Sequence, residues 1–338
     1  MTHEFKRIVQ AHTRAKGENI RTVLATVVAL KGSSYRRPGV SMLIREDEQM
    51  VGAVSGGCVE KEVLRQSHTV FETNCPKMMV YDGRYRLGCE GILYILIEPF
   101  LPGDAFHTVF EDSLAKRIPF ELMSRFELKE GSHSDYGTSL RQGSRELALY
   151  QGATWNKDTK VKIFTRSLDP CFKLWIVGAE HDAVQLCTYA ALTGWEVCIW
   201  AAPSEEKSVT DFSGAQELWS LEPEELPLGQ IDGQTAVVVM THSYVRDLRY
   251  LLALKHSAPA YLGLLGPQKR REQLLAELME RDLDIPERFL EGIHGPTGLD
   301  IGAETPQEIA IAILAEILSV IRNRKSLKLK DKQGAVHS

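Results

Sequence analysis

From Lys173 onward the chain repeats a strand–loop–helix pattern, and this pattern restricts the fold more than any other feature. Short runs of β-branched and aromatic residues alternate with amphipathic stretches of helical spacing. Such alternation is typical of a parallel sheet with helices on both faces. The predicted strands are 174–177, 195–200, 235–240 and 261–265, and the predicted helices are 182–193, 245–255, 268–281 and 306–324. We therefore predict a Rossmann-like α/β domain over 171–325.

The loop after the first predicted strand carries an altered dinucleotide-binding fingerprint. Such a fingerprint needs glycines for a tight turn, for close approach of the backbone to pyrophosphate and for helix–strand packing. Gly178 keeps the first position and Ala183 serves the third, but Glu180 puts a negative side chain at the second. The strand at 195–200 also ends without the acidic residue that would hold a ribose hydroxyl. We therefore predict that the domain does not bind NAD or NADP in the ordinary way, and is a scaffold with no nucleotide or an altered one.

Polar residues follow several predicted strands of this half, where a parallel sheet of this kind binds its ligand. Thr241-His242 follows one strand, a second cluster lies at 263–271, and a third lies at 294–302. The turn at Gly266 opens a helix and is either an anion site or a simple turn into a basic surface helix. A histidine at a strand end is either a hydrogen-bonded structural residue or part of a site. The candidate ligand contacts in this half are Gly178, His181, His242, Gly266 and Asp300.

The N-terminal half predicts a mixed α+β domain over 1–170. The pattern favours helices at 3–16 and from the Gly56-Gly57 loop to about Phe71. Strands are predicted at 22–30, 41–45, 50–54, 78–81 and 92–98. The segment 103–170 reads as a helix and several amphipathic strands, which either pack on this first unit or bridge to the second domain.

Two cysteines of the N-terminal half lie beside glycines at the junction of a strand with the next element. Cys58 follows Gly56-Gly57 near the first turn of a predicted helix, where the helix dipole favours a thiolate, and Cys89 follows Gly88. Arg36 and Arg37 add positive charge if their loop converges on these thiols. A thiolate there is able to bind a soft metal or to carry sulfur. The alternative is two ordinary buried cysteines.

Composition narrows the environment and the classes of partner. The formal net charge of −5 and pI near 6.1 argue against a nucleic-acid surface built on bulk charge. No apolar stretch approaches the roughly 18 residues that span a bilayer, and no signal peptide is present, so we predict no membrane partner. The six cysteines form no secreted framework, which predicts reduced thiols in the cytoplasm. We also expect a flexible tail over 326–338 and a homodimer.

Several short motifs in the same order resemble the XdhC/CoxI family, the accessory proteins of xanthine dehydrogenase and related molybdenum hydroxylases. The motifs cover most of the chain outside about 103–170. In the N-terminal half they are Ala25–Gly39, Gly56–Glu60 and Gly88–Gly91, and in the C-terminal half they are Ile176–His181, Thr241-His242, Tyr261–Gly266 and Gly298–Ile309. The resemblance implies a chaperone that binds molybdenum cofactor (molybdopterin), assists its sulfuration and delivers it to an apo-enzyme of the xanthine dehydrogenase type. A cysteine desulfurase is the implied second partner.

The resemblance also assigns roles to residues. Cys58 and Cys89 become the thiols that handle molybdenum or sulfur, Arg36 and Arg37 the contacts to phosphate or pterin, and His181 the match to a family histidine. Glu180 departs from the family, which usually has glycine at this position. A more distant alternative is an NAD(P)-dependent oxidoreductase using the C-terminal domain, and a third is an interaction protein with an inactive ligand site.

Overall fold

The computed structural model describes residues 2–32, 37–83, 91–153, 155, 161–325 and 327–331. Arg36 and Cys89 therefore lie outside the described residues, as does most of the predicted tail. The chain divides into two compact units, Met1–Cys171 and Phe172–Ser338. In the described parts, no helix has both the length and the apolar character needed to cross a bilayer.

The described residues of the first unit form two antiparallel sheets and three helices. Its helices are α1 (Thr2–Gly17), α2 (Gly57–Thr73) and α3 (Asp104–Ala115). Its strands are β1 (Thr22–Lys31), β2 (Ser41–Arg45), β3 (Met50–Gly52), β4 (Lys77–Asp82), β5 (Ile92–Pro99), β6 (Phe120–Phe126), β7 (Gly131–Ser132), β8 (Gly137–Gln142), β9 (Arg145–Ala148) and β10 (Lys162–Leu168). The larger sheet has the order β3-β2-β1-β5-β4-β7, and the smaller has the order β10-β6-β8-β9.

The period-2 alternation of the strands distributes their side chains between the two faces of the larger sheet. Val23 and Val27 of β1 pack with α2 on one face of the larger sheet. Leu24 points to the opposite face and packs with α1, α3 and the smaller sheet. The segment after residue 103, whose packing the sequence left open, thus belongs to the first unit, because its strands share a core with α1 and β1.

The second unit is a single parallel sheet with helices on both faces. Its helices are α4 (His181–Leu192), α5 (Tyr244–Leu254), α6 (Gln268–Arg281), α7 (Glu287–Glu291) and α8 (Pro306–Ile321). Its strands are β11 (Lys173–Val177), β12 (Glu196–Ala201), β13 (Ala215–Ser220), β14 (Thr235–Val239), β15 (Tyr261–Leu264) and β16 (Ile293–His294). The order β13-β12-β11-β14-β15-β16 is that of a Rossmann fold. The predicted fold class is confirmed.

The faces of this sheet explain the near-continuous apolar strands. All five residues of β14 are buried, because α4 and α8 pack on one face and α5 and α6 on the other. The sequence pattern did not predict β13, α7 and β16. The strand β13 has no buried residue, and β16 has only two residues, so neither carries a clear hydrophobic period.

Helix α8 begins where the sequence places its start. The Thr305 hydroxyl accepts from the Glu308 amide at 3.3 Å, and the Glu308 carboxylate accepts from the Thr305 amide at 2.9 Å. This reciprocal pair satisfies two backbone donors that a helix otherwise leaves free.

Candidate functional site

The point at which the strand order reverses lies between β11 and β14. The chain leaves β11 toward α4 on one face and leaves β14 toward α5 on the other. Loops that diverge in this way open a crevice at the carboxyl ends of the strands, which is where doubly wound sheets bind ligands. The loops after β11, β12 and β14 therefore form the candidate site of the second unit.

Gly178 closes the turn after β11 and has no room for a side chain. Its φ is +127°, and an added Cβ would lie 2.5 Å from the carbonyl oxygen of Met240. Its amide donates to the carbonyl of Trp200 at 2.8 Å. The residue thus brings the β11 loop against the β14 loop, and it keeps the tight-turn role of the first fingerprint glycine.

The start of α4 is acidic. Glu180 is the N-cap and makes no capping hydrogen bond with its side chain, which is exposed, and Asp182 lies in the first turn. Both carboxylates interact favourably with the positive end of the helix dipole. They would also repel a pyrophosphate approaching the same N–H groups. Ala183 is fully buried and supplies the close helix–strand packing of the third fingerprint position.

A histidine–aspartate pair spans the crevice. The Nε2 atom of His242, after β14, lies 3.1 Å from an Oδ atom of Asp182 in α4. His242 has a φ of +55°, a conformation that costs energy for a residue with a Cβ. His181, beside Asp182, is exposed. The structure therefore brings His181, His242 and Gly178 into one neighbourhood.

A buried ion pair between α5 and α6 holds the loop after β14 in place. Asp247 of α5 is 1% exposed and accepts from the Thr241 hydroxyl at 2.6 Å and from the Thr241 amide at 3.2 Å. Its other oxygen lies 2.6 Å from the guanidinium of Arg270 in α6. Removing one partner of such a pair would leave a buried charge and cost roughly 3–5 kcal/mol. Asp247 was missed in the sequence, although an acid on the apolar face of a helix is the signal that marks it.

Gly266 leaves room for the Arg270 side chain of this ion pair. It has a φ of +128°, and an added Cβ would lie 2.8 Å from the Cδ of Arg270. The missing side chain leaves space for the arginine stem on its way to Asp247. Asp300 is exposed in the loop between β16 and α8.

An acidic side chain does lie near the end of β12, a few residues beyond the strand end at which the sequence lacks one. Glu205 turns back and accepts from the Ala202 amide at 3.3 Å. Its carboxylate also accepts from the guanidinium of Arg246 at 2.5 Å. Glu205 is therefore already paired, so it offers a ribose hydroxyl less acceptor capacity than a free carboxylate would.

In the first unit, Cys58 occupies the first turn of α2 and is exposed. An added Cβ on Gly56 or Gly57 would meet no atom within 4 Å, and Gly56 has an ordinary extended backbone. The local fold therefore does not require these glycines, and their absent side chains leave the helix N-terminus open to a close approach from outside. Behind them, the Glu60 carboxylate accepts from the Ser55 amide at 2.7 Å.

Arg37 is exposed in the loop between β1 and β2. Among the residues that the structure describes, no group of three or more His, Cys, Asp or Glu side chains is arranged to hold a metal ion. The predicted joint role of Cys58 and Cys89 in handling metal or sulfur involves a residue outside that part of the chain.

The two units match two parts of one protein family. Residues 15–82 match the XdhC and CoxI family, and residues 174–317 match the XdhC Rossmann domain. These matches together cover more than half of the chain. The chain belongs to the XdhC and CoxI family.

Relatives of this XdhC-family chain align along almost its whole length. A protein named as a probable xanthine dehydrogenase subunit in Bacillus subtilis (strain 168) is 29% identical over 88% of this chain and 92% of that protein. The molybdenum cofactor insertion chaperone PaoD of Escherichia coli (strain K12) is 26% identical over 95% of this chain and 90% of PaoD. A crystal structure described as a xanthine dehydrogenase from Bacillus halodurans superimposes with a TM-score of 0.77 at 26% identity, covering 94% of this chain and 97% of that one.

The two family matches differ in how many of the candidate residues they contain. The XdhC Rossmann match contains all the candidates of the second unit, from Gly178 to Asp300. The N-terminal XdhC and CoxI match contains Cys58 but ends at residue 82, before Cys89.

Proposed function

We propose that this XdhC-family accessory protein binds molybdenum cofactor and inserts it into an apo-enzyme of the xanthine dehydrogenase type. The observation that carries the proposal is the alignment with the insertion chaperone PaoD over 95% of this chain and 90% of PaoD. A cargo carrier must hold its ligand reversibly, so it needs accessible contacts rather than a closed, preformed metal site. The exposed loops of both units are consistent with that requirement.

The proposed contact in the first unit is the exposed Cys58 at the start of α2. A thiolate is a suitable ligand for a soft metal centre, and the open positions at Gly56 and Gly57 leave the helix amides accessible to a phosphate. Arg37 would add charge to this contact, and Arg36 and Cys89 complete the proposed set. Sulfuration of the bound cofactor, with a cysteine desulfurase as sulfur source, belongs to the same proposal, as do a homodimer and a cytoplasmic location.

The test is a titration of the purified protein with isolated molybdenum cofactor. We expect the Cys58→Ala, Cys89→Ala double variant to bind at least tenfold more weakly. The Glu72→Ala variant, with its exposed change at the other end of α2, should bind like the wild type. Unchanged affinity in the double variant would remove the thiols from the proposal, and no binding by the wild type would overturn the proposal as a whole.

A second candidate function is an NAD(P)-dependent oxidoreductase, and the strand order of the second unit is the observation that favours it. The acidic start of α4 and the pairing of Glu205 with Arg246 oppose it. Calorimetric titration with NAD and NADP distinguishes the two functions, because micromolar binding would support the oxidoreductase.

A further inference from the structure

The first unit contains a cavity of about 230 Å³ that none of the proposed contacts uses. Three aromatic side chains, those of Tyr136, Tyr150 and Trp155, contribute to its lining, and Glu98 of β5 reaches it. Ligand cavities in proteins combine such apolar and aromatic walls with a few well-placed polar groups.

Glu98 is an unusual group to find there. It is 1% exposed, and its two carboxylate oxygens accept from a single residue of β8, the Thr138 hydroxyl at 2.5 Å and the Thr138 amide at 2.7 Å. None of the ion pairs among the described residues involves it. A buried carboxylate is costly unless it is hydrogen-bonded, paired or protonated, so Glu98 is a candidate to accept a further hydrogen bond from a ligand.

The pKa of Glu98 lies near neutral pH. Burial raises the pKa of Glu98 to about 7, against the lowering effect of the two Thr138 hydrogen bonds. The other titratable side chains on the cavity wall are Cys75, Tyr136 and Tyr150. Burial raises the pKa of Cys75 and of Tyr136, so these two are neutral at pH 7.

Among the residues that the structure describes, the donors to Glu98 leave one lone pair free on each of its oxygens. Beside the carboxylate lies the Trp155 indole, since an added Cβ on Gly137 would be 3.3 Å from both the Oε2 of Glu98 and the Cζ2 of Trp155. The indole is fixed by its N–H donation to the Tyr136 carbonyl at 3.3 Å. A carboxylate with an acceptor position on each oxygen, close to an aromatic ring, matches a flat ring that carries two parallel N–H donors on one edge.

We propose that this cavity binds a planar 2-aminopyrimidin-4-one ring, with the Glu98 carboxylate accepting from its ring N–H and its amino group. Pterin and guanine share this edge. If the ring is the pterin of the molybdenum cofactor, this proposal rests on the proposed function. It adds the cavity as a second cofactor contact in the first unit, besides Cys58.

The test uses the full-length protein and three small ligands: pterin, guanosine monophosphate and lumazine, which carries a carbonyl where pterin has its amino group. Binding is followed by calorimetry at pH 8. We expect pterin to bind at least tenfold more tightly than lumazine, and Glu98→Gln to lower the pterin affinity at least tenfold. The exposed Glu130→Gln variant of the same unit should bind like the wild type.

If Glu98→Gln does not fold, Ala153→Trp tests the same cavity, because it fills the space from the wall and leaves the buried acid in place. Tighter binding of guanosine monophosphate than of pterin would support the ring chemistry and assign the source to guanine. Equal affinity for pterin and lumazine, or wild-type affinity in Glu98→Gln, would overturn the assignment.

The outcomes also separate this assignment from the proposed function. Intact molybdenum cofactor bound equally by the wild type and by Glu98→Gln would remove the cavity and keep the carrier function. Pterin bound through Glu98, without binding of the intact cofactor, would keep the cavity and remove the carrier function.

Discussion

At the scale of single residues, two buried titratable side chains of the first unit act on stability in opposite directions. Glu98 binds its proton more tightly in the folded chain than in the unfolded chain, and His12 binds its proton less tightly. Stability rises with pH wherever the unfolded state binds more protons, and falls with pH wherever the folded state binds more.

For Glu98, the folded pKa of about 7 lies above the value near 4.3 of an unfolded glutamate. Wild-type stability should therefore fall between pH 4 and pH 7.5, relative to Glu98→Gln, by about 3 kcal/mol. Urea unfolding of the two proteins across this range measures the difference. Parallel pH profiles would show that Glu98 has an ordinary pKa.

For His12, burial lowers the pKa to about 4, with smaller contributions from His107 and Lys16. The Thr22 hydroxyl donates to the Phe100 carbonyl at 2.9 Å, so it accepts from the Nδ1–H of a neutral His12 at 2.7 Å. Acidification from pH 7 to pH 4 should destabilise the wild type by about 3 kcal/mol more than His12→Gln. Urea unfolding of the wild type and of His12→Gln at the two pH values measures this difference. Equal loss of stability in both proteins on acidification would contradict the lowered pKa of His12.

At the scale of elements, the start of α4 determines what the crevice of the second unit accepts. A helix N-terminus attracts anions through its free N–H groups and dipole, but here Glu180 and Asp182 already supply the negative charge. Asp182 is also engaged by His242. The strand order and the tight turn of a dinucleotide site are present, but the negative charge at the start of α4 opposes a pyrophosphate.

Removing the charge should therefore improve nucleotide binding. We expect Glu180→Gly to raise the affinity for NAD about tenfold, which corresponds to roughly 1.4 kcal/mol of relieved repulsion. Glu291→Ala, an exposed change elsewhere in the unit, is the matched control and should have no effect. Calorimetry in low salt measures the affinities. An unchanged affinity would mean that backbone shape, and not charge, excludes the nucleotide.

The helix start at Thr305 gives an element-scale prediction that concerns stability alone. Thr305→Ala removes the acceptor for the Glu308 amide and should cost about 1 kcal/mol. Chemical denaturation measures the loss. Ser319→Ala on the same helix, whose hydroxyl only bonds back to the Glu316 carbonyl, should cost less.

At the scale of the whole molecule, the apolar side chains form separate cores in the two units. The clusters around α2 and α1 contain only first-unit residues, and those on the two faces of the Rossmann sheet contain only second-unit residues. Each unit therefore has its own source of cooperativity.

Calorimetric unfolding should show two transitions. Leu140→Ala should lower only the transition of the first unit, and Leu186→Ala only that of the second, each by removing a fully buried side chain worth about 2–5 kcal/mol. A single transition lowered by both variants would show that the units unfold as one.

Much of this architecture follows from local sequence. Period-2 and helical patterns locate most of the strands and helices, because side-chain alternation is a property of each segment by itself. Thr305, Pro306 and Glu308 predict the start of α8 for the same reason. Gly178 predicts the tight turn, since a positive φ excludes most other residues.

Other features depend on which segments meet. The packing of α3, β6 and β8 on α1 and β1 places the segment after residue 103 in the first unit. Polar contacts also join residues more than 20 positions apart in the sequence. Three examples are Glu98 with Thr138, His242 with Asp182, and Asp247 with Arg270. The sequence alone determined the elements, their order and the altered fingerprint. Only the tertiary structure decided which polar groups became buried partners, because desolvation and pairing arise when distant segments pack together.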